Sequence, residues 1–425
     1  MLKSATFNKV LFYLKDTAKQ MWFRCCVYCI FALLAFFIGP TLGHFVPDSL
    51  KEIVSKDALR NILQVIASSM LAVTTFSLSI MVQAFTTAST TATPRASKLL
   101  TEDRTAQNAL GSFIGAFLFS IVGIIGISAG LYSEDILVIL FFSTIVMIVI
   151  IVVMLLRWIG QLSKLGRVSV TIDLVEQSLM RAIDSRGQHP TLKAQPLHRS
   201  CQELSQKFTP VVSSQIGYIQ YFDVEKLNEI ASEHDAKLFI SVNSGEFIDS
   251  INPVAFVDKE LRNDVKQAIC DAIIVGQDRT FSQDPRYGFV ILAEIALRAL
   301  SPGINDPGTA IDITGTYVRC MRKWYDRCRY STTSVENSQH LKYERVYIRP
   351  IDIKDLISDM FCQLVKEGAS HILVVKHILA TMDSISAMGH GETNDAIEHW
   401  KARLQEAAKL KLTELEFAGL AFPSN

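Results

Sequence analysis

The stretch ILVILFFSTIVMIVIIVVMLL, residues 136–156, contains no charged side chain and decides the class of this protein. A helix that rises about 1.5 Å per residue needs about 20 such residues to cross the roughly 30 Å hydrocarbon layer of a bilayer. Three further apolar stretches of this length precede it, so the sequence predicts a membrane domain with four transmembrane helices. The predicted spans are Met21–Phe45, Ile62–Phe85, Leu110–Leu131 and Ile136–Ile159.

The positions of lysine and arginine predict the orientation of these spans. Basic side chains gather at the start of the first span and beyond the fourth, and Arg95, Lys98 and Arg104 lie between the second and third. The turn between the third and fourth spans, Tyr132–Asp135, carries none. Because cytoplasmic loops are enriched in basic residues, we expect both termini in the cytoplasm.

The remaining sequence is typical of a globular protein. The whole chain has 42 basic and 42 acidic residues, so no charge excess indicates a nucleic-acid partner. We predict a multi-pass α-helical membrane domain followed by a cytoplasmic α+β domain with a helical C-terminus. The predicted divisions are a cytoplasmic helix over 1–20, the four-helix domain over 21–165, the α+β domain over 166–330 and the helical part over 331–425.

Local patterns place the elements of the globular part. Short β-like runs are separated by turn residues such as Asn243-Ser-Gly245, and longer stretches with helical apolar spacing flank them. The predicted strands are Gln215–Phe222, Lys237–Val242 and Glu246–Ile248. The predicted helices are Val170–Asp184, Val224–Ser232, Asp258–Val275, Tyr287–Ala299, Ile351–Met382 and Asn394–Ala418, with a linker over Arg186–Leu197.

The second span carries a polar stripe. Its polar members recur every three or four residues, or at twice that interval across Ala72, and therefore lie on one face of a helix. Such a face can line a water-filled path or can form a seam where helices pack closely, and both interpretations are consistent with the spacing. The stripe consists of Gln64, Ser68, Thr75, Ser79 and Gln83.

Two other features of the membrane part bear on function. Gly111 and Gly115 form a small-xxx-small pattern that favours close helix packing and, with the stripe, a homo-oligomer in the lipid bilayer. No acidic or basic residue lies near the centre of any predicted span, which argues against a proton-coupled transporter. A passive pore or a simple anchor remains.

The loop after the second span begins with the threonine-rich run Thr86–Thr93, which can continue a helix beyond the bilayer until a proline ends it. The membrane-proximal candidates in this loop are Pro94, Arg95, Asp103 and Arg104. The two arginines could contact anionic headgroups, or the whole segment could be a solvated loop.

Two loops rich in Gly, Pro, Asn and Asp, Gly276–Gly288 and Leu300–Thr309, lie at helix ends, where backbone N–H groups are free. A small anion or ion is the ligand expected there. Alternatively, Asn305 and Asp306 only cap the following helix. The candidate binding residues are Arg279, Asp284, Arg298, Asn305 and Asp306.

The chain contains none of the P-loop, GxGxxG, GxSxG or HExxH motifs. The one C-x-x-C pair, Cys26 and Cys29, lies inside an apolar span without a second pair, which indicates free thiols. We therefore expect no enzyme activity, no metal and no cofactor.

Several segments together carry a family resemblance. In the membrane part they are SSMLAVTTFS (68–77), Pro94-Arg95, Asp103-Arg104 and Gly111–Phe117, and in the globular part Gly217–Gln220, Arg279-Thr280, Gln283–Gly288 and ALRALSPGINDP (296–307). With these segments the chain resembles the bacterial family named domain of unknown function 2254. The resemblance implies the bacterial inner (plasma) membrane and assigns no chemistry.

Two functional hypotheses follow. The first is a passive, channel-like permeation protein controlled by its cytoplasmic domain, with Thr75, Ser79 and Gln83 lining the path. The second is a membrane-anchored sensory or ligand-binding module without transport activity, with its site around Arg298, Asn305 and Asp306.

Overall fold

The computed structural model describes residues 55–101, 104–132, 134–162, 166–333, 341–420 and 422. Its contacts divide the chain into two compact units. The division falls at Thr171, inside the helix Val168–Gln188, and Thr91–Thr93 group with the later residues. We call the helical part up to Leu162 the membrane unit and the part from Val168 onward the globular unit. The predicted N-terminal helix over 1–20 and the first predicted span, Met21–Phe45, lie outside the described residues.

The membrane unit consists of helices. They are α1 (Lys56–Thr91), α2 (Pro94–Thr101), α3 (Arg104–Ser128) and α4 (Glu134–Leu162). Among the described residues, three helices are long and apolar enough to cross a bilayer, at Lys56–Thr91, Thr105–Ser128 and Ile136–Leu162. They correspond to the second, third and fourth predicted spans.

Helix α1 is longer than the bilayer needs. Its 36 residues extend for about 54 Å, against roughly 30 Å of hydrocarbon. The excess includes the threonine-rich run, and the helix ends at Thr91. Pro94 then begins α2, because proline lacks the N–H that a continuing helix needs but is tolerated in a first turn.

One face of α1 packs against α3 and α4. The contact is a continuous apolar core in which Met70 and Met81 of α1 meet Phe113 of α3 and Trp158 of α4. The exposed side chains over 142–156 of α4, among them Val146, Val149 and Val153, are apolar, as expected of a lipid-facing surface.

The globular unit combines two sheets with a set of packed helices. Its elements are α5 (Val168–Gln188), β1 (Ala194–Pro196), α6 (Cys201–Lys207), β2 (Thr209–Val212), β3 (Ile216–Phe222), α7 (Val224–Glu233), β4 (Leu238–Ile240), β5 (Phe247–Asp249), β6 (Pro253–Val257), α8 (Asn263–Asp271), β7 (Ile273–Gly276), α9 (Pro285–Ala299), α10 (Pro307–Thr333), β8 (Tyr343–Ile348), α11 (Ile353–Gly368), α12 (Ile372–Met388), α13 (Glu392–Lys411) and α14 (Glu414–Ala418).

The strands form a five-stranded sheet of order β1-β8-β4-β6-β2 and a three-stranded sheet of order β5-β3-β7. Strand β8 pairs in parallel with both β1 and β4. The stretch over 331–425 is thus not purely helical, because β8 completes a sheet built by earlier residues. One apolar core joins strands of both sheets with α7 and α8, and α9 to α13 pack on one another.

The three strands predicted from the sequence are present as β3, β4 and β5. The predicted helix Asp258–Val275 is shorter: α8 ends at Asp271, and the β-branched run from Ile273 forms β7. The predicted linker Arg186–Leu197 is also partly regular, since α5 continues to Gln188 and Ala194–Pro196 forms β1. The apolar spacing of α5 extends through Ile183 to position 186, where an arginine occupies the buried face.

Candidate functional site

The N-terminus of α9 holds a cluster of charged side chains. Asp284 caps this helix, because its Oδ1 accepts the backbone N–H of Tyr287 at 3.2 Å. Its Oδ2 accepts a hydrogen bond from Arg279 Nε at 2.9 Å and lies 2.7 Å from Arg279 Nη2 in an ion pair. The Arg279 guanidinium also lies 5.2 Å from the ring centroid of Tyr287. Two of the five predicted binding residues are therefore in direct contact.

The backbone closes tightly on this ion pair. Gly245 has φ +84°, and a Cβ there would lie 1.9 Å from Asp284 Oδ2 and 2.9 Å from Arg279 Nε. Glycine is required both by the left-handed backbone and by the lack of space. The Ser244 hydroxyl donates to the Gln283 carbonyl at 2.6 Å, which fixes this turn to the loop before α9.

Strand β3 anchors the same loop. The Gln283 side chain accepts the N–H of Phe222 at 2.9 Å and donates to its carbonyl at 3.2 Å, as a neighbouring strand would. Gln220 donates to the Asp278 carbonyl at 2.7 Å. The loop that carries Arg279 is therefore held at both ends.

Arg186 of α5 lies in the same region but is not among the binding residues predicted from the sequence. Its side chain is 0% exposed, and none of its three guanidinium nitrogens has a hydrogen-bond partner among the described residues. Burial lowers its pKa to about 10, and the nearby charge of Asp284 opposes that shift. The guanidinium is thus still charged at neutral pH, and an unpaired buried charge is strongly unfavourable.

Asp284 itself is 2% exposed, and burial raises the pKa of its carboxyl although Arg279 opposes this. Taken together, Arg186, Arg279 and Asp284 carry one excess positive charge. We call these three residues the α9 cluster.

Arg286, two residues further along, has complete partners. It donates to Asp359 at 2.6 and 3.2 Å and to Asp355 at 2.8 Å, which joins α9 to α11. Burial lowers the pKa of its guanidinium, but the bonds to Asp359 outweigh this and the net shift is upward. Arg286 is a structural tie between helices.

The other predicted binding residues lie at the far end of α9, about 20 Å along the helix. Arg298 is exposed there. Asn305 has a left-handed backbone with φ +49°. Asp306 accepts the N–H of Thr309 at 3.2 Å and its hydroxyl at 2.6 Å, so it caps α10. The structure does not bring these residues together with Arg279 and Asp284.

The polar stripe of α1 faces away from the other described helices of the membrane unit. Its five polar members and Ala72 are all exposed. With 100° per residue, the centre of the stripe lies about 170° from that of the buried face. The stripe therefore does not pack against α3 or α4.

The hydroxyls of the stripe bond within their own helix. Ser68 donates to the Gln64 carbonyl at 3.0 Å, Thr75 to Leu71 at 2.9 Å and Ser79 to Thr75 at 3.0 Å. The two glutamines stand about 28 Å apart along the helix, close to the thickness of the hydrocarbon layer. The stripe is thus mildly polar in its middle and strongly polar at its ends.

The remaining candidates are dispersed. Gly111 and Gly115 are buried within the membrane unit. Pro94 and Arg95 are exposed at the start of α2, Arg104 begins α3, and Asp103 lies outside the described residues. In the part of the chain that the structure describes, no three His, Cys, Asp or Glu side chains are grouped to hold a metal ion.

Comparison with known proteins identifies the family. A sequence profile of the family described as "Predicted membrane protein (DUF2254)" matches residues 18–384, so the chain belongs to this family and the resemblance predicted from its sequence is confirmed. Over 110 residues it is 29% identical to the uncharacterized proteins Rv1290c of Mycobacterium tuberculosis and Mb1321c of Mycobacterium bovis. The matched segment covers 24% of this chain and 21% of each relative, about a fifth of their length. No solved structure matches the chain.

Proposed function

We propose that this membrane protein is a non-enzymatic, channel-like permeation protein in which several copies of α1 surround a shared water-filled path. One observation supports this most strongly: the stripe of Gln64, Ser68, Thr75, Ser79 and Gln83 is exposed on the face of α1 opposite its packed face. An exposed polar face in a bilayer is stable against other protein or against water. A homo-oligomer supplies both.

The contrast with α4 strengthens the proposal. The exposed face of α4 is apolar over 142–156, as lipid requires, whereas the exposed face of α1 carries the hydroxyls of Ser68, Thr75 and Ser79. Since the hydroxyls bond within their helix, they leave a smooth, weakly polar wall. Such a wall suits passive permeation better than tight ion selection.

The proposed setting is the bacterial inner membrane, with both termini in the cytoplasm and the globular unit as the controlling domain. The family assignment and the distribution of basic residues support this placement.

A pair of matched substitutions tests the proposal. Thr75→Phe places a ring at the centre of the stripe, and Val149→Phe places the same ring on the exposed apolar face of α4, where Val149 is 57% exposed. In planar bilayers we expect Thr75→Phe to reduce the unitary conductance while the oligomer remains intact. Val149→Phe should leave conductance unchanged. A change in assembly alone for Thr75→Phe would assign the stripe to helix packing.

A second candidate function is a membrane-anchored ligand-binding module. The observation that favours it is the α9 cluster, because Arg186 is buried and charged without a partner among the described residues. Thermal unfolding of the full chain against a panel of anionic, cationic and neutral solutes tests this function. Saturable stabilisation by some solute is expected, and a panel without any effect would refute it.

A further inference from the structure

The polar face of α1 extends beyond the stripe at both ends. With 100° per residue, Asp57 and Asn61 lie about 30° and 10° from the direction of the stripe centre, and Thr86 lies about 10° from it. All three side chains are exposed. One polar face therefore runs along α1 from Asp57 to Thr86, over about 44 Å.

The hydroxyls of this face present oxygen lone pairs outward. Thr86 donates to the Val82 carbonyl at 3.0 Å, in the same way as the hydroxyls of the stripe donate to carbonyls four residues earlier. A hydroxyl has one hydrogen and two lone pairs, and a carbonyl can only accept. Since each hydrogen is used within the helix, only acceptors remain on the outside. The amides of Gln64 and Gln83 offer both hydrogens and oxygen, so they favour ions of neither sign.

The charged residues of α1 all lie near its start. They are Lys56, Asp57 and Arg60, and no other charged residue follows in this helix. Arg60 and Lys56 project about 90° and 130° from the centre of the stripe, so Asp57 is the charged residue that lies on the polar face. The basic residues Arg95 and Lys98 belong to α2, after α1 has ended.

We propose that the path along α1 conducts small cations and excludes anions of similar size, with Asp57 as the residue that sets the sign. In a ring of copies related by rotation about the bilayer normal, each residue of α1 forms a ring at one depth. Rings of hydroxyl oxygens replace part of the hydration shell of a cation, whereas they offer an anion no hydrogen. A ring of Asp57 carboxylates concentrates cations at the mouth of the path.

This inference rests on the proposed pore and names the class of solute that passes through it. Selection is by the sign of the charge and not among cations, because the hydroxyls form an open wall instead of a closed cage of ligands.

The first test measures the reversal potential of the full-length protein in planar bilayers under a KCl gradient, which gives the permeability ratio of K⁺ to Cl⁻. A unit charge at roughly 4 Å in water changes the local concentration of an ion about fivefold, in opposite directions for K⁺ and Cl⁻. We therefore expect a ratio above about ten for the native protein, and Asp57→Asn should lower it at least about fivefold.

Glu134→Gln is the matched control for Asp57→Asn. Glu134 is an exposed acid at the start of α4, and this end of α4 lies beside the start of α1, because Leu59 packs with Tyr132 and Leu137. Its carboxylate is not on the polar face of α1, so this substitution should change the ratio less than about twofold.

The second test compares two neighbouring threonines. Thr75→Val removes a hydroxyl oxygen from the stripe with little change in volume. Thr74→Val makes the same change about 130° away, where the hydroxyl likewise donates to a carbonyl four residues earlier, that of Met70, at 2.6 Å. We expect Thr75→Val to lower the unitary K⁺ conductance at least about twofold and Thr74→Val to leave it unchanged.

The outcomes separate this inference from the pore itself. A reversal potential of zero, or one on the Cl⁻ side, would overturn cation selection and leave the pore in place. An unchanged ratio in Asp57→Asn, or equal losses of conductance from Thr74→Val and Thr75→Val, would overturn it as well. Absence of current from folded, inserted protein would overturn both the pore and this inference.

Discussion

Replacing Arg186 by methionine should stabilise the protein, although it removes a fully buried side chain. Methionine keeps an unbranched stem of similar length and carries no charge. Burial lowers the pKa of Arg186 from 12.5 to about 10, which corresponds to about 3 kcal/mol against the charged form in the folded protein. Because the folded-state pKa lies below the unfolded one, this penalty is complete below pH values of about 10 and fades only above them.

Part of the gain is lost, because methionine fills the guanidinium's volume imperfectly and repacking costs on the order of 1 kcal/mol. We therefore expect a net gain of roughly 2 kcal/mol at pH 7.5, or about 4–8 °C in unfolding temperature for a domain of this size. Arg181→Met serves as the control, since it makes the same change at an exposed position of α5 and should stay within about 0.5 kcal/mol of the native protein.

The assay is thermal unfolding of the full-length protein in phosphate-free buffer, followed by tryptophan fluorescence. Trp324 lies buried in α10 and reports on the globular unit. A loss of stability in Arg186→Met relative to Arg181→Met would contradict this prediction, because it would show that the guanidinium is already paired in the folded protein.

Other positions make further predictions. Gly288→Ala should lose roughly 1–2 kcal/mol of unfolding free energy, because its Cβ would lie 2.7 Å from that of Leu179. Gly315→Ala in α10 should gain up to about 1 kcal/mol, because its Cβ would make only an ordinary contact, 3.7 Å from Arg319 Nη1. Denaturant unfolding of the two variants measures both changes. Arg286→Gln should lower the free energy of unfolding by about 2–3 kcal/mol in the same assay, because it leaves two carboxylates of α11 unpaired. A loss below about 0.5 kcal/mol would contradict the role of Arg286 in joining α9 to α11. Cys320 should not react with maleimide at pH 8 until the protein unfolds, because burial raises the pKa of its thiol to about 12. Mass spectrometry that finds Cys320 modified in the folded protein would contradict this prediction.

The parts of the fold that sequence predicts well are those with a strong local signal. Long apolar runs identify α1, α3 and α4, since hydrocarbon imposes both length and composition. Strand β8 was missed because six residues such as YERVYI have no distinctive period, and their pairing with β1 and β4 joins positions far apart in the sequence. Non-local pairing of this kind is decided by tertiary contacts.

For the candidate binding residues, too, the sequence predicts local contacts better than contacts between distant segments. Arg279 and Asp284 are five residues apart, so their contact is local and could be anticipated. Arg298 and Asp306 were grouped with them only because both loops contain similar residues, although the length of α9 separates them. Arg186 could have been found, since it continues the buried spacing of Leu179 and Ile183; its lack of a partner depends on the folded surroundings.

Chemical modification of one side chain during conduction tests whether the stripe of α1 lines a path for water and solutes. Thr75→Cys and Val149→Cys proteins are reconstituted in planar bilayers, and current is recorded before and after a charged, membrane-impermeant thiol reagent is added. We expect the reagent to block current through Thr75→Cys, while Val149→Cys and the native protein conduct as before. Two results would contradict the pore. The first is current that persists in Thr75→Cys while mass spectrometry shows that the reagent has not modified residue 75. The second is the absence of current from folded, inserted protein at every voltage and tension.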